Sequence, residues 1–168
     1  TCVFLAPHTQ LECVTAPGVG TEHAWVVSVG GVASTPGTSS AGVTRTSYHP
    51  PTLTSVSGAG AHFADTSGGQ RVVIAGDQFG AAGVAGGGVE AVTYGVNGTE
   101  FAAVDCAVSV HHTGVTCLTA PGTGRGHSWR ITVGGQVSEL LFADTGYGSP
   151  IVSHFSGTGA GDGDTRGG

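Results

Sequence analysis

Lysine and methionine are absent from this chain of 168 residues, and asparagine occurs once, at Asn97. All five basic residues are arginines, charged residues make up 10% of the sequence, and the formal net charge is −6. Proteins that hold nucleic acid present a basic patch, which this charge balance argues against. No apolar run approaches the ~18 residues that cross a bilayer. We therefore expect no nucleic-acid partner and no membrane insertion in this segment.

Helical periodicity is also missing, since no segment of helix length repeats its apolar residues every 3.6 positions. Short β-branched runs bounded by glycine take its place, such as RVVIA at 71–75. Several short strands at regular spacing, separated by turn signals, predict an all-β sandwich. Glycine is abundant, with 32 residues, but it follows no Gly-X-Y period, which excludes collagen.

One long stretch of sequence occurs twice. Residues 2–34 and 106–138 are identical at fifteen of thirty-three positions with a constant offset of 104. Residues 48–69 and 147–168 match in a second series with an offset of 99. A repeat of about a hundred residues follows from these two series. We predict that 1–46 is the C-terminal half of one repeat plus a linker, 47–147 is a complete repeat, and 148–168 is the opening of a third.

The complete repeat contains the strand and turn signals of a sandwich. We expect strands at 52–57, 71–75, 89–94, 100–104, 106–110, 115–119, 129–133 and 137–142. Asn97-Gly98 is a strong hairpin-turn signal. In 129–133, apolar residues alternate with polar ones, so that one face points inward. Trp129 leads that inward face and Trp25 has the same place in the other copy, so we predict that both belong to a core.

The four cysteines form two pairs with the same spacing of eleven positions. A zinc site would need its cysteines closer together in sequence, with further ligands at set distances. Cys106 and Cys117 lie on adjacent expected strands joined by a turn at 111–114, where they can face each other. We predict the disulfides Cys2–Cys13 and Cys106–Cys117, with buried free thiols as the alternative. Paired cysteines favour an oxidising, extracellular or cell-surface location.

Eight histidines raise the question of a metal site. The best cluster is His111 and His112 with His127. His112 and His127 recur as His8 and His23, so they belong to the repeat. A repeat-wide zinc site is one interpretation of this recurrence. We favour turn and cross-strand hydrogen bonding, and predict no metal ligands.

Other chemical signals are weaker. Asp162 and Asp164 flank a glycine, as in part of a calcium loop, but no ligating glutamate follows and Asp162 has no counterpart in the earlier copy. The glycine-rich stretches 122–126 and 157–163 lack the following helix and the lysine of a phosphate loop, which predicts turns. There is no Gly-x-Ser-x-Gly motif, and paired cysteines leave no free nucleophile. We predict no catalytic residues, no cofactor and no enzyme activity.

Glycosylation is a further expectation. Asn97-Gly98-Thr99 forms a sequon at a hairpin tip, and we predict an N-glycan on Asn97. The alternative is that Asn-Gly serves only the positive φ of the turn. The stretch 35–46 is rich in Ser, Thr and Gly and is typical of an interdomain linker that can carry O-glycans.

The order of these motifs resembles a known family. The pattern Gly-Gly-x-x-Val-x-Ile-x-Gly-x-x-Phe-Gly at 68–80 resembles the start of an IPT/TIG domain. Cys-x10-Cys-x-x-x-Pro-Gly and the tryptophan strand that ends in Gly-Gly resemble its second half. Similar cysteine pairs occur in extracellular IPT/TIG arrays such as those of fibrocystin-like surface proteins. The resemblance implies an immunoglobulin-like sandwich with a role in adhesion or architecture, and it supplies no catalytic residues.

These observations favour a structural subunit of an extracellular fibre, appendage or cell-surface coat. The alternatives are the ectodomain of a receptor or adhesin whose repeats space a binding tip, and the accessory domains of a secreted carbohydrate-active enzyme. Expected partners are neighbouring repeats, copies of the chain itself, and glycans. Residues 1–46 and 149–168 each supply part of a sandwich and leave an open edge. We therefore expect the chain to be a slice of a longer tandem array, or to be completed by strands of a neighbouring chain.

Overall fold

A computed structural model describes residues 1–35, 45–83 and 88–167 of the chain. The predicted linker at 35–46 falls largely on residues outside these ranges. Within them the chain forms strands and loops, and no helix there is long and apolar enough to cross a membrane. The strands are β1 (Cys2–Ala6), β2 (Gln10–Cys13), β3 (His23–Ala24), β4 (Ser28–Val29), β5 (Val32–Ala33), β6 (Arg45–Thr46), β7 (Thr52–Ser57), β8 (Arg71–Asp77), β9 (Val89–Gly95), β10 (Phe101–Ala102), β11 (Val104–Val110), β12 (Gly114–Leu118), β13 (Arg125–Val133), β14 (Gln136–Val137) and β15 (Leu141–Gly146).

Strands β7 to β15 build two antiparallel sheets. The first sheet has the order β11-β12-β8-β7. The second has the order β10-β9-β13, with β14 and β15 both paired to β13. The chain changes sheet after β8, after β10 and after β12, so residues distant in sequence meet across the interior. Two packed sheets of this kind form an immunoglobulin-like β-sandwich, and the predicted fold class is confirmed.

The core of this sandwich comes from the inward positions of both sheets. In β13, Trp129, Ile131 and Val133 are each no more than 1% exposed, as the alternating pattern predicts. Phe79, which follows β8, is fully buried. The remaining buried apolar residues are Val56, Ala61, Ala64, Val72, Ile74, Val92, Tyr94, Val108, Val115, Cys117 and Tyr147.

The strand expected at 100–104 is divided between the two sheets. β10 pairs with β9, whereas Val104 begins β11 in the opposite sheet. Asp105 has φ 52°, and the register of β11 against β12 is interrupted between Val104 and Ala107. Such a bulge bends a strand and increases its twist, which lets the chain leave one sheet and enter the other. The prediction of one strand here was wrong.

The strand expected at 137–142 is also divided. β14 pairs with the end of β13, and β15 pairs with its beginning. Between them, the backbone N–H of Ser138 donates to the carbonyl oxygen of Ile131 at 2.9 Å, and its Oγ accepts from the N–H of Ile131 at 3.1 Å. Ser138 thus closes the tight β13–β14 hairpin before β15 begins. The single strand expected at 137–142 is therefore not formed.

Residues 1–35 and 45–46 form three separate strand pairs rather than a sandwich. β1 pairs with β2, β3 with β6, and β4 with β5. The pairs share registers with their counterparts in the sandwich: His23 lies opposite Thr46 as His127 lies opposite Thr145, and Val29 opposite Val32 as Val133 opposite Gln136. The registers differ one residue further on, because the β13–β15 pair has a bulge between His127 and Ser128. We call residues 1–35 with 45–48 the partial unit, and residues 51–147 the sandwich unit.

The stretch 151–156, which the repeat aligns with β7, forms no strand in the part of the chain that the structure describes. Ile151 is 91% exposed and Phe155 is 82% exposed. In the sandwich unit β7 is held by hydrogen bonds to β8. Residues 157–167 form no strand that could take the place of β8, and 151–156 are unpaired among the described residues.

Candidate interaction surface

Equivalent side-chain hydrogen bonds form within each of the two units, in addition to the equivalent strand pairs. Trp129 Nε1 donates to Thr145 Oγ1 at 2.7 Å, and Trp25 Nε1 donates to Thr46 Oγ1 at 3.0 Å. In both units a serine after the Gly-Gly turn accepts a bond from the backbone of the tryptophan strand, as Ser34 does from Val27 at 3.0 Å. The repeated sequence therefore specifies local geometry in both places.

A tyrosine ends the tryptophan hairpin in each unit. Tyr147 Oη donates to the carbonyl oxygen of Ala120 at 2.6 Å, and Tyr48 Oη donates to that of Ala16 at the same distance. In the sandwich unit a second tyrosine joins this bond, because Tyr94 Oη lies 2.6 Å from Tyr147 Oη and accepts from the N–H of Ala120 at 2.9 Å. The pKa of the Tyr147 phenol is raised, mainly by burial and also by the hydrogen bond with Tyr94, so the phenol stays protonated at neutral pH.

The repeated histidine of the tryptophan strand packs beside this tyrosine. His127 is 2% exposed, and its ring lies 5.6 Å from that of Tyr147. Burial lowers the pKa of His127, while the hydrogen bond to the backbone of Thr123 and the charge of Glu100 oppose that shift. His23 similarly donates from Nε2 to the Val19 carbonyl oxygen at 3.0 Å.

The repeated histidines at the hairpin tips have a backbone role. His8 and His112 both have φ 64°, the left-handed conformation in which histidine is enriched among residues other than glycine. The N–H of His112 donates to the Gly80 carbonyl oxygen at 2.7 Å. His111 Nδ1 accepts from the N–H of Ala82 at 3.1 Å. No group of three potential metal ligands occurs in 1–35, 45–83 or 88–167.

The cysteine hairpins contain two disulfides, Cys2–Cys13 and Cys106–Cys117, each with a Cα–Cα distance of 4.1 Å. Cys117 is fully buried and belongs to the core of the sandwich unit. The disulfide of the partial unit has no such surroundings, since Cys2 is exposed. The structure thus pairs the cysteines as their spacing predicts.

Asn97 is exposed at the tip of the β9–β10 hairpin, as is Thr99. The positive φ of this turn falls on Gly98, at 77°, and not on Asn97. Asn97 Nδ2 donates to Glu100 Oε1 at 2.7 Å. Hydrogen bonds from the backbone, that of Thr99 first, lower the pKa of the Glu100 carboxyl. The alternative, that Asn-Gly serves the positive φ of the turn, fits the φ of Gly98, and N-glycosylation of Asn97 stays a prediction.

Asp164 accepts hydrogen bonds from the neighbouring backbone rather than standing free. The N–H of Arg166 donates to Asp164 Oδ1 at 2.8 Å, and the N–H of Ser67 donates to Asp65 Oδ1 at 2.8 Å at the aligned position. Bonds from Arg166 lower the pKa of the Asp164 carboxyl. The aspartate therefore shapes a turn in both copies.

The clearest candidate for interaction is an exposed apolar face on the partial unit. Its exposed fractions are 41% at Trp25, 38% at Val27 and 61% at Val29, against 1% or less at Trp129, Ile131 and Val133. Phe4 is 67% exposed, whereas the equivalent Val108 is 7% exposed. The prediction that Trp25 is a core residue is therefore wrong for this structure. The reason is that no second sheet within 1–35, 45–83 or 88–167 covers this face.

This face encloses a groove. Phe4 and Leu11 of the β1–β2 hairpin line one side, and Val27 and Val29 line the other. The groove has a volume of about 770 Å³. Contiguous exposed apolar surface of this kind marks an interaction site.

The structure also shows two features that the sequence did not indicate. Val19 and Gln136 join the two units: Val19 packs against the sandwich core, and Gln136 Nε2 donates to the Tyr48 carbonyl oxygen at 3.1 Å. Neither residue is repeated, since the aligned positions are Thr123 and Val32, so the repeat gave no signal.

The second feature is a polar cavity of about 290 Å³ on the sandwich unit. His62, Phe63, Arg125 and Asp144 line it. Phe63 and Asp144 have φ of 55° and 46°, and Phe63 is 77% exposed. Positive φ at residues other than glycine could not be inferred from residue types at these positions.

Comparison with known families agrees with this geometry. The family model described as IPT/TIG domain matches residues 51–145, more than half of the chain and nearly all of the sandwich unit. The chain belongs to the IPT/TIG family. IPT/TIG domains are non-catalytic immunoglobulin-like modules, typical, like paired disulfides, of extracellular or cell-surface proteins. A search of curated proteins and a search of solved structures each found no significant match.

Proposed function

We propose that this IPT/TIG chain is a structural segment of an extracellular fibre, appendage or cell-surface coat built from tandem immunoglobulin-like repeats. The observation that carries the proposal is the bare apolar face of the partial unit, at Trp25, Val27 and Val29. Its equivalent in the sandwich unit is covered. The proposed role is non-catalytic.

The sandwich unit indicates what would cover this face. There β8 pairs with β12, where Ile74 lies opposite Val115, and β9 pairs with β13, where Val92 lies opposite Ile131. Equivalent strands beside Leu11 and Val27 would remove the same kind of apolar area from water. Each fully buried Val or Ile side chain contributes roughly 1.5–3 kcal/mol. The partner we propose is a neighbouring repeat, on the same chain or on a second copy.

The location follows from several features together. Two disulfides persist in an oxidising setting. The sequon at Asn97 lies on an exposed hairpin tip, and Asn97 Nδ2, the atom that would carry a glycan, bonds to the exposed Glu100. Lysine is absent and the net charge is negative, which supports a surface without a nucleic-acid partner.

The test is to supply the missing strands. Because residue 1 aligns with residue 105, a second copy of residues 50–104 can be placed directly before Thr1. We expect Trp25 to become shielded from an aqueous quencher and the partial unit to unfold cooperatively. The matched control carries Val92→Asp in the added copy alone, which should leave Trp25 accessible.

Two results would show that the partial unit does not depend on further strands. An unaltered chain of 168 residues that is a compact monomer in light scattering, with both ends resistant to protease, would contradict the proposal. Unchanged quenching of Trp25 after addition of the strands would do the same. Electron microscopy of the native material should show a linear array of even units.

A second candidate is the ectodomain of a receptor or adhesin. The cavity between Phe63, Arg125 and Asp144 favours it, because the aligned positions hold different residues: Asp162 for Phe63 and Thr21 for Arg125. A feature present in one repeat and absent from another is typical of a binding site rather than a scaffold. A glycan array with Arg125→Ala as the control would test this candidate.

A further inference from the structure

The two units of the chain meet at a joint made of a turn and a loop. The Gly134-Gly135 turn between β13 and β14 lies on the loop 17–20 of the partial unit. A Cβ placed on Gly134 would come within 2.7 Å of the backbone nitrogen of Gly20. Gly20 is itself buried there. The contact is therefore backbone against backbone, and it admits no side chain at Gly134.

Two side chains extend the joint on either side of this contact. Val19 packs against Gly88, where an added Cβ would lie 2.9 Å from Val19 Cγ2. Gln136 Nε2 donates to the Tyr48 carbonyl oxygen at 3.1 Å. The N–H of Tyr48 in turn donates to the carbonyl oxygen of Gly20 at 2.9 Å, so the groups that touch the sandwich unit are tied to each other.

The same loop and the same turn recur at positions where, among the described residues, no second unit contacts them. In the loop 121–124, Thr123 and Gly124 are exposed, although the N–H of Tyr147 donates to the Gly124 carbonyl oxygen at 2.8 Å as in the joint. A Cβ placed on Gly30 or Gly31 would meet no atom within 4 Å, and neighbouring Val32 is 75% exposed. The chain thus presents a bare loop on one unit and a bare turn on the other.

We propose that the loop 121–124 is the docking surface for the Gly-Gly turn of a following repeat, and that the Gly30-Gly31 turn docks on the equivalent loop of a preceding repeat. This inference rests on the proposed function and deepens it, because it specifies how successive units meet. The occupant is another repeat of the same type. Thr123 presents a γ-methyl group where Val19 presents its own, so the surface keeps the chemistry that the existing joint uses.

Chain connectivity supports this occupant. Tyr48 is followed within a few residues by β7, and Tyr147 is followed at the same interval by the aligned stretch 151–156. A unit that begins so soon after the loop is held beside it at high effective concentration, which favours even a small contact. Within the sandwich unit, Glu90 Oε1 accepts from the N–H of Gly135 at 2.8 Å and so holds the turn of the joint, whereas the contacts between the two units come from backbone, Val19 and Gln136.

The experiment extends the chain by its own sequence. Since residue 168 aligns with residue 69, a second copy of residues 70–148 can follow Gly168 and complete a third unit. The isotope label is confined to residues 1–168 by joining them to an unlabelled extension. We expect the Thr123 methyl and Gly124 amide signals to shift and the Thr123 methyl to show contacts with the extension. Thr123→Asp should abolish both effects, and Thr123→Val should retain them.

The existing joint provides the second arm in the unextended chain. Val19→Asp should shift the amide signals of Gly88 and Gly134, and the matched variant Thr123→Asp should leave them in place. Unchanged signals in Val19→Asp would overturn the proposal. A third unit that folds while Thr123 and Gly124 keep their original signals would also overturn the proposal. That result would leave the proposed tandem array unaffected.

Two other outcomes would count against a following repeat as the occupant or against the tandem array. Shifts at Thr123 that depend on the concentration of the unextended chain would identify a second copy as the occupant and overturn the proposal of a following repeat. An extension that stays unfolded would count against the tandem array, and the joint would then be decided by the Val19→Asp arm.

Discussion

Trp25 and Trp129 occupy the same place in two copies of one motif, but they differ in what covers them. Their indole N–H groups donate to equivalent threonines, and the histidines two positions before them lie opposite those same threonines. Trp129 is 1% exposed and Trp25 is 41% exposed. The motif therefore specifies these local contacts in both units, whereas a continuous tryptophan strand and its burial exist only where further strands and a second sheet are present.

The difference also has an energetic side. A hydrogen bond in water contributes little net stability, and an exposed apolar side chain contributes almost nothing. The hydrogen bonds of Trp25 and Tyr48 lie at the surface, whereas that of Trp129 to Thr145 is buried. The sandwich unit should therefore carry nearly all of the stability of this chain.

The largest effect should come from removal of the buried indole. Trp129→Ala should lower the free energy of unfolding by about 3–5 kcal/mol, because it deletes a fully buried aromatic ring that stacks on Tyr94 at 4.3 Å. Trp25→Ala should cost much less. Denaturant titrations of both variants measure the difference. Equal losses would mean that the two units are buried alike, and a loss below about 1 kcal/mol at Trp129 would place it at the surface.

The disulfides come next. Replacement of Cys106 and Cys117 by alanine should cost about 3 kcal/mol, from release of a short closed loop in the unfolded chain. The same double replacement at Cys2 and Cys13 should leave the main unfolding transition in place, because that hairpin lies outside the sandwich. Peptide mapping without reduction checks the pairing. A link between the two pairs, or free thiols, would disprove the hairpin arrangement.

The tyrosine network gives a smaller expected effect. Tyr147→Phe removes the donor to the Ala120 carbonyl oxygen and the partner of the Tyr94 hydroxyl, at a cost of about 1–2 kcal/mol. Tyr48→Phe removes the equivalent bond at the surface and should cost less. Thermal unfolding of the two variants makes the comparison. A larger loss at Tyr48 would show that the joint, and not burial, governs this bond.

His127 should make stability depend on pH. Its pKa is lowered in the folded protein, chiefly by burial, from an ordinary value of about 6.5. The unfolded chain therefore binds more protons between the two values, and the free energy of unfolding falls as pH drops below about 6.5 and levels off under the folded pKa. Urea titrations from pH 7.5 to 4.5 measure this slope. His127→Phe should reduce it, and an unchanged slope would assign it to other groups.

The smallest effect on stability should accompany glycosylation. Asn97 is the single asparagine of the 168 residues and lies in the sandwich unit. We expect native secreted protein to lose one glycan mass on enzymatic release, with little change in unfolding, because the tip is exposed. Thr99→Ala is the control that removes the sequon. Unmodified Asn97 in such material would count against the extracellular location.

Much of the sandwich unit could be predicted from the pattern of residues. The alternation of Trp129, Ile131 and Val133 predicts which side of β13 faces inward, since side chains in a strand alternate with a period of two. The divided strands at 100–104 and 137–142 were not predictable in this way. A run of β-favouring residues indicates extended backbone, but it does not indicate which sheet supplies the hydrogen-bond partner.

The existence of an exposed apolar face could be predicted from the sequence, but the residues that join the two units could not. The prediction that 1–46 supplies only the later strands of a repeat implies an open apolar face, and Val27 and Val29 are exposed as that prediction implies. The joint at Val19 and Gln136 gave no signal, because these positions differ between the copies and their role depends on what lies across from them.

By itself, the sequence determined the local structure of this protein: the extended segments, the disulfide-closed hairpins, the Gly-Gly turns and the registers that recur in both units. These features depend on neighbours within one hairpin, and the residue types carry enough information to fix them. The tertiary structure decided which sheet each strand joins, that Trp129 is buried while Trp25 is not, and where one unit touches the next. Burial and contact depend on two surfaces that face each other. The residue pattern of one surface does not specify which surface will face it.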